Sequence, residues 1–130
     1  MNDCGVTEFF AFVEIPILCI GSSSYTVQVG GTVTLACSVL SATPAITTVF
    51  WRKLVNGAYT NIIIDNIRFF GGTVSNANLT ITNVVLSDQT SYQCSASNSA
   101  GTGNSGATTL TVSGSMLFVD FLILFYEYSK

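Results

Sequence analysis

The sequence predicts an all-β chain folded as an antiparallel sandwich or barrel. Three observations carry this. Apolar residues recur at spacing two in short runs, so one face of each run is apolar and the other polar. Gly- and Asn-bearing turn signals separate the runs at regular intervals, with no helical periodicity between them. Only 8% of the 130 residues are charged, against roughly 25% in a typical soluble domain. The surface is wetted mainly by Ser and Thr, a composition that suits strands.

The strands are justified in order. Tyr25 to Val29 alternates and ends at Gly30-Gly31. Val33, Leu35 and Cys37 share one face of the next strand. Pro44 breaks the chain before Thr48 to Leu54, which places Val49 and Trp51 inward. Asn56-Gly57 is a hairpin signal, because both residues tolerate positive φ. Tyr59 to Ile64 is a further strand, and Arg68 to Phe70 a short one ended by Gly71-Gly72. Asn78 to Thr82 turns Leu79 and Ile81 inward. Tyr92 to Ser97 puts Tyr92, Cys94 and Ala96 on one face. Asn98 to Gly106 holds three glycines and two asparagines and reads as a hairpin loop. Thr108 to Val112 closes the sheet with Leu110 and Val112 inward. The total is eight or nine strands.

The same composition excludes several functions. The net charge of −3 sits in the two ends. Between Ser22 and Ser113 the charges are Arg52, Lys53, Arg68, Asp65 and Asp88, one positive charge in excess. Such a body lacks the basic patch that a phosphate backbone needs, so no nucleic-acid partner is expected. The chain has no histidine, which removes the usual general base and the commonest zinc ligand. Asp65, Asp88 and the acidic ends form no plausible catalytic pair. The glycine-rich stretch opens no helix and so is no phosphate cradle. The expectation is a non-enzyme without cofactor or metal. Cys4, Cys19, Cys37 and Cys94 show no C-x-x-C spacing, which favours a disulfide over a metal site.

An ordered set of residues then narrows the fold. Leu79, Ile81, Val84, Asp88, Tyr92, Cys94, Ala96, Asn98 and Gly101 follow one another, preceded by Gly30, Val33, Leu35 and Cys37, with Trp51 placed 14 residues after Cys37. This set resembles the immunoglobulin superfamily, and the I-set in particular, over about 90 of the 130 residues. The resemblance implies an immunoglobulin-like two-sheet antiparallel β-sandwich with Greek-key connections. It implies a Cys37–Cys94 disulfide packed against Trp51, whose loop closure contributes up to about 4 kcal/mol on the chain-entropy model. Its core would hold Trp51, Leu35, Leu79, Ile81, Tyr92 and Leu110. Tyr92 would form a tyrosine corner, and Arg68 would pair with Asp88. Thr90 stands where the family usually has Gly or Ala, so a tight corner must house it.

The alternative to the disulfide is two buried free thiols, as in intracellular members of the family. Asn78-Leu79-Thr80 is an N-x-T acceptor that argues for secretion and makes Asn78 a glycosylation candidate. Phe50, Arg52, Tyr59, Gln93, Ser95 and Thr109 face outward on one sheet and have the composition of a modest interface. Single exposed apolar residues are normal, so an ordinary sheet surface or a contact with a neighbouring module is the first reading of this face, and partner binding the second.

The chain divides into an apolar N-terminal flank (residues 1–21), the sandwich (22–113) and an apolar tail (114–130). One reading of Phe9 to Ile20 is the apolar core of an atypical signal peptide, against which stand Glu14 within the run and the absence of a basic residue before it. An extra strand and sequence from outside the domain are the alternatives. Met116 to Tyr126 is interrupted by Asp120 and falls short of the about 20 apolar residues of a membrane span. If exposed, the two ends would promote self-association. The resemblance implies an extracellular interaction module, secreted or at the cell surface, in adhesion or immune recognition. Its partner would be a protein: another immunoglobulin-type domain, or a surface receptor or ligand. The rival is a structural spacer in a larger protein, such as an intracellular filament.

Overall fold

The computed structural model describes residues 13–114. Cys4, the start of the Phe9–Ile20 run and the Met116–Tyr126 run lie outside these. The described chain is a two-layer β-sandwich of ten strands with one 3-10 turn. One layer has the strand order β2 (Ser24–Gln28), β10 (Gly101–Ser113), β9 (Ser91–Asn98), β5 (Thr48–Val55), β6 (Ala58–Asn61). In it β2 pairs in parallel with β10, and the other neighbours are antiparallel. The opposing layer has the order β3 (Val33–Leu35), β8 (Leu79–Ile81), β7 (Phe69–Gly71). It is prolonged by β4 (Cys37–Thr43), which pairs with β1 (Glu14–Ile20).

The core follows the alternation in the sequence. Leu35, Trp51, Leu79, Ile81, Tyr92, Cys94 and Leu110 are fully buried, with Val33, Cys37, Val49 and Val112 beside them. A disulfide joins Cys37 to Cys94, with 6.4 Å between their Cα atoms. Trp51 is the register partner of Cys94, and its indole N–H donates to the Ala77 carbonyl at 2.7 Å. A buried tryptophan keeps its one donor satisfied in this way. Asn56 and Gly57 adopt φ of 51° and 83° and close the β5–β6 hairpin in two residues, as a type I′ turn requires.

β3 and β4 are one strand interrupted at Ala36, where the ladder breaks. The freed donors are recaptured by side chains. Ala36 N–H donates to the Tyr25 hydroxyl at 3.1 Å and Cys37 N–H to Asn78 Oδ1 at 3.0 Å. Buried backbone donors must find such partners.

Four sequence expectations change. The segment 1–21 is not only a flank: residues 14–20 form β1, with Leu18 and Ile20 buried. Of the alternatives left open for it, an extra strand is what these residues form. Tyr59–Ile64 is a strand only to Asn61. Beyond it Asp65 Oδ1 accepts the N–H groups of Ile67, Arg68 and Phe69 and winds the chain into a turn, leaving Ile63 exposed. Asn98–Gly106 is no loop. Only Ser99 and Ala100 separate β9 from β10, and the glycines lie within β10, whose pairing shifts between Asn104 and Ala107. Leu86–Asp88 forms the 3-10 turn where no helix is expected.

Candidate functional site

Two constellations stand out, one structural and one on the surface. The structural one lies where the 3-10 turn enters β9. Arg68 grips Asp88 with two bonds, Nη1 to Oδ2 at 2.9 Å and Nη2 to Oδ1 at 3.1 Å. Nη1 also donates to the carbonyls of Thr82 and Asn83. Val85 N–H donates to Asp88 Oδ2, and the Tyr92 hydroxyl donates to the Asp88 carbonyl at 2.5 Å.

Burial pushes the Asp88 carboxyl up, but the Arg68 bonds and the Val85 N–H outweigh it and hold it below the ordinary carboxylate range. The bond to Asp88 raises the Arg68 guanidinium. Burial, and then the charge of Asp88, raises the Tyr92 phenol. Both guanidinium Nη atoms of Arg68, both Asp88 carboxylate oxygens and the Tyr92 hydroxyl are bonded within this corner, which stiffens the fold. Thr90 is housed beside it without positive φ, donating its hydroxyl to the Leu54 carbonyl at 2.7 Å.

The surface constellation lies on the outward face of the five-stranded sheet. Register places Phe50 opposite Ser95 and Arg52 opposite Gln93 on β5 and β9. The β5–β6 hairpin brings the Tyr59 ring under the Arg52 guanidinium, 5.7 Å from its centroid, within cation–π range. Arg52 Nη2 donates to Gln93 Oε1, and to Asn104 Oδ1 at 3.3 Å. Asn104 Oδ1 also accepts from Ser95 Oγ at 2.6 Å.

Sequence reasoning misses Asn104 because it assigns the residue to a loop. The irregularity in β10 is what aims it at Arg52. Ser105 turns inward there, accepting from Cys94 N–H and donating to the Gly106 carbonyl. Its own carbonyl accepts from Gln93 Nε2 at 3.1 Å. Asn104-Ser105-Gly106 is a bulge-compatible triplet, and that was the available signal.

The six residues expected on this face are therefore not equivalent. Phe50, Arg52, Tyr59 and Gln93 are half-buried neighbours. Ser95 is a correction: it is fully buried, because Asn104 covers it, and it contributes support rather than contact surface. Thr109 is exposed, but no side-chain bond joins it to the group, and it pairs with Ser91 further along β10. Asn78, the acceptor of the N-x-T triplet, is half-buried, with its Oδ1 committed to Cys37. Among the described residues no cluster of three metal-ligating side chains exists, and no helix is long and apolar enough to cross a membrane.

Comparison with known proteins fits this architecture. No curated protein matches the sequence. A solved structure described as "Tandem Ig repeats of Dlar" is similar at 30% identity with a TM-score of 0.62, over 78% of this chain and 48% of that one. Another, "Structural basis for Dscam isoform specificity", is similar in fold at 23% identity with a TM-score of 0.61, over 76% of this chain and 24% of that one. The chain thus spans about half the length of the first and a quarter of the second. The family model described as "Immunoglobulin domain" matches residues 16–98, and with more than half of the sequence so covered, the chain belongs to the immunoglobulin domain family.

Proposed function

We propose that the chain is a non-catalytic protein-interaction module of I-set type, displayed outside the cell in adhesion or immune recognition. It binds its partner with the outward face of β5, β6, β9 and β10. The observation that carries this is the ordered Phe50, Arg52, Tyr59, Gln93 and Asn104 group. Three neighbours, Gln93, Asn104 and Tyr59, hold the charged Arg52 side chain in place on this face. Aromatic and arginine side chains are the types enriched where interfaces bury their energetic centre.

Photocrosslinking on the surface of cells from the native source tests the reading. Tyr59→p-benzoylphenylalanine should yield a defined crosslinked protein, and Thr34→p-benzoylphenylalanine, exposed on the opposite sheet, should not. Equal or absent crosslinking from both positions would refute it. Intact mass before and after reduction decides the compartment, since a fully reduced native protein would favour an intracellular spacer.

Asn78 is the glycosylation site of this reading. Its Oδ1 serves Cys37, while its Nδ2, the atom that carries the sugar, makes no hydrogen bond among the described residues. A glycosidase-sensitive mass that disappears in Thr80→Val is expected. This substitution removes the acceptor triplet while leaving the Asn78–Cys37 bond in place.

A further inference from the structure

We infer that the Arg52 cluster is a socket for the carboxylate of an aspartate or glutamate side chain on a protein partner. The inference rests on the reading of this face as the binding surface and adds the chemistry of what docks there. Charge is the first argument. Elsewhere among the described residues Arg68 and Asp88 neutralise one another, and Asp65 is occupied by three backbone N–H groups in its own turn. Lys53 follows Arg52 in β5, so alternation sends it to the other side of the strand. No ion pair of Arg52 is found among the described residues, and it is set on a face with the two aromatic residues Phe50 and Tyr59.

Donor geometry is the second argument. Arg52 spends Nη2 on Gln93 and Asn104, and its Nη1 makes no hydrogen bond among the described residues. Its Nε is the one buried side-chain N or O atom among the described residues that lacks a partner. Asn104 Oδ1 is taken by both Ser95 and Arg52, so the amide must turn its Nδ2 donors away from them, on an exposed residue. Arg52 Nη1 and Asn104 Nδ2 thus belong to two bonded side chains and have no acceptor among the described residues. The acceptor complementary to a guanidinium edge is a carboxylate, held by charge-assisted bonds. Tyr59 and Gln93 already hold the arginine, so little side-chain freedom is left to lose on docking.

Titration of the isotope-labelled chain by NMR tests this. The probes are N-acetyl-Phe-Asp-amide, its isostere N-acetyl-Phe-Asn-amide, and free N-acetylneuraminic acid. The aspartyl probe should shift the Arg52 Nε–H and Asn104 side-chain resonances saturably. The asparaginyl probe should bind at least five-fold more weakly, and Arg52→Gln should abolish the difference while the Trp51 and Cys94 amides stay in place. Equal shifts from both dipeptides would overturn the carboxylate inference and leave the face as a binding surface. Absence of shifts on this face with every probe would overturn both. Shifts from the sugar acid without the aspartyl probe would overturn a protein source for the carboxylate.

Discussion

At the scale of single residues, the Arg68–Asp88 pair shows why removing one partner differs from never having had either. Asp88 is almost fully buried, while Arg68 keeps 28% of its side chain in solvent. Arg68→Ala leaves a buried carboxylate with one backbone donor, at a cost of about 3–5 kcal/mol at neutral pH. The pH dependence has a definite sign. In the native chain the folded-state value of Asp88 is depressed, so its contribution is present at neutral pH and is lost as pH falls through that value. In Arg68→Ala burial remains the leading influence and raises the carboxyl instead, so acid relieves the variant. Urea midpoints of the two chains should therefore converge as pH is lowered from 7 towards 4. A constant gap would mean that the arginine acts through packing on Phe69, whose ring lies 4.9 Å from its guanidinium. Tyr25→Phe isolates a second effect. It deletes only the hydroxyl that accepts the Ala36 N–H, and the unmet donor should cost about 1–3 kcal/mol in the same assay.

At the scale of elements, β1 makes the most specific demands. It crosses β10 where that strand has no side chains, and a Cβ on Gly103 would lie 1.9 Å from the Pro16 carbonyl oxygen. Asn98 fastens the start of β1, donating from Nδ2 to the Glu14 and Pro44 carbonyls while its Oδ1 accepts from Ala100 and Gly101. Gly103→Ala should displace β1 without melting the sheets. Hydrogen exchange of Leu18 and Ile20 amides should accelerate while those of Trp51 and Cys94 stay protected, and uniform acceleration would show that β1 does not open on its own. The same packing bears on processing. Leu18 and Ile20 are each worth about 1.5–3 kcal/mol of burial, so N-terminal sequencing of secreted protein should find a start before Glu14. A start at Ser22 would show that the sandwich dispenses with β1. These elements also mark what was legible. Leu35, Leu79, Ile81, Tyr92 and Leu110 sit in uninterrupted alternation and could be placed from the sequence. β1 could not, because EIPILCI is apolar on both faces and so has no period to read. The β10 bulge could not either, because glycine and asparagine serve turns and bulges alike. The binding face was legible as a list of outward residues, but Asn104 joins it only through that bulge, and Ser95 leaves it only because Asn104 lies over it.

At the scale of the whole molecule, the Cys37–Cys94 bond joins the two described layers across an apolar core, with almost no contribution from surface charge. Cys37 begins β4 in one layer, Cys94 lies in β9 of the other, and 57 positions separate them in the chain. The chain-entropy model gives about 4 kcal/mol for closing such a loop, against about 5–15 kcal/mol for the total stability of a domain. The bond is therefore a large share of stability but need not be all of it. Leu35, Trp51, Leu79, Ile81, Tyr92 and Leu110 are fully buried without reference to it. The double substitution Cys37→Ala with Cys94→Ala should keep near-native amide shifts and lower the melting temperature by on the order of 15 °C. Collapse to an unfolded chain would make the domain dependent on an oxidising compartment for folding itself. An unchanged melting temperature would make the disulfide dispensable and remove the main physical reason to place the module outside the cell. Salt separates this from electrostatics. The Arg68–Asp88 pair is largely shielded from solvent, so raising ionic strength should leave the difference between the native and the double-alanine chains unchanged.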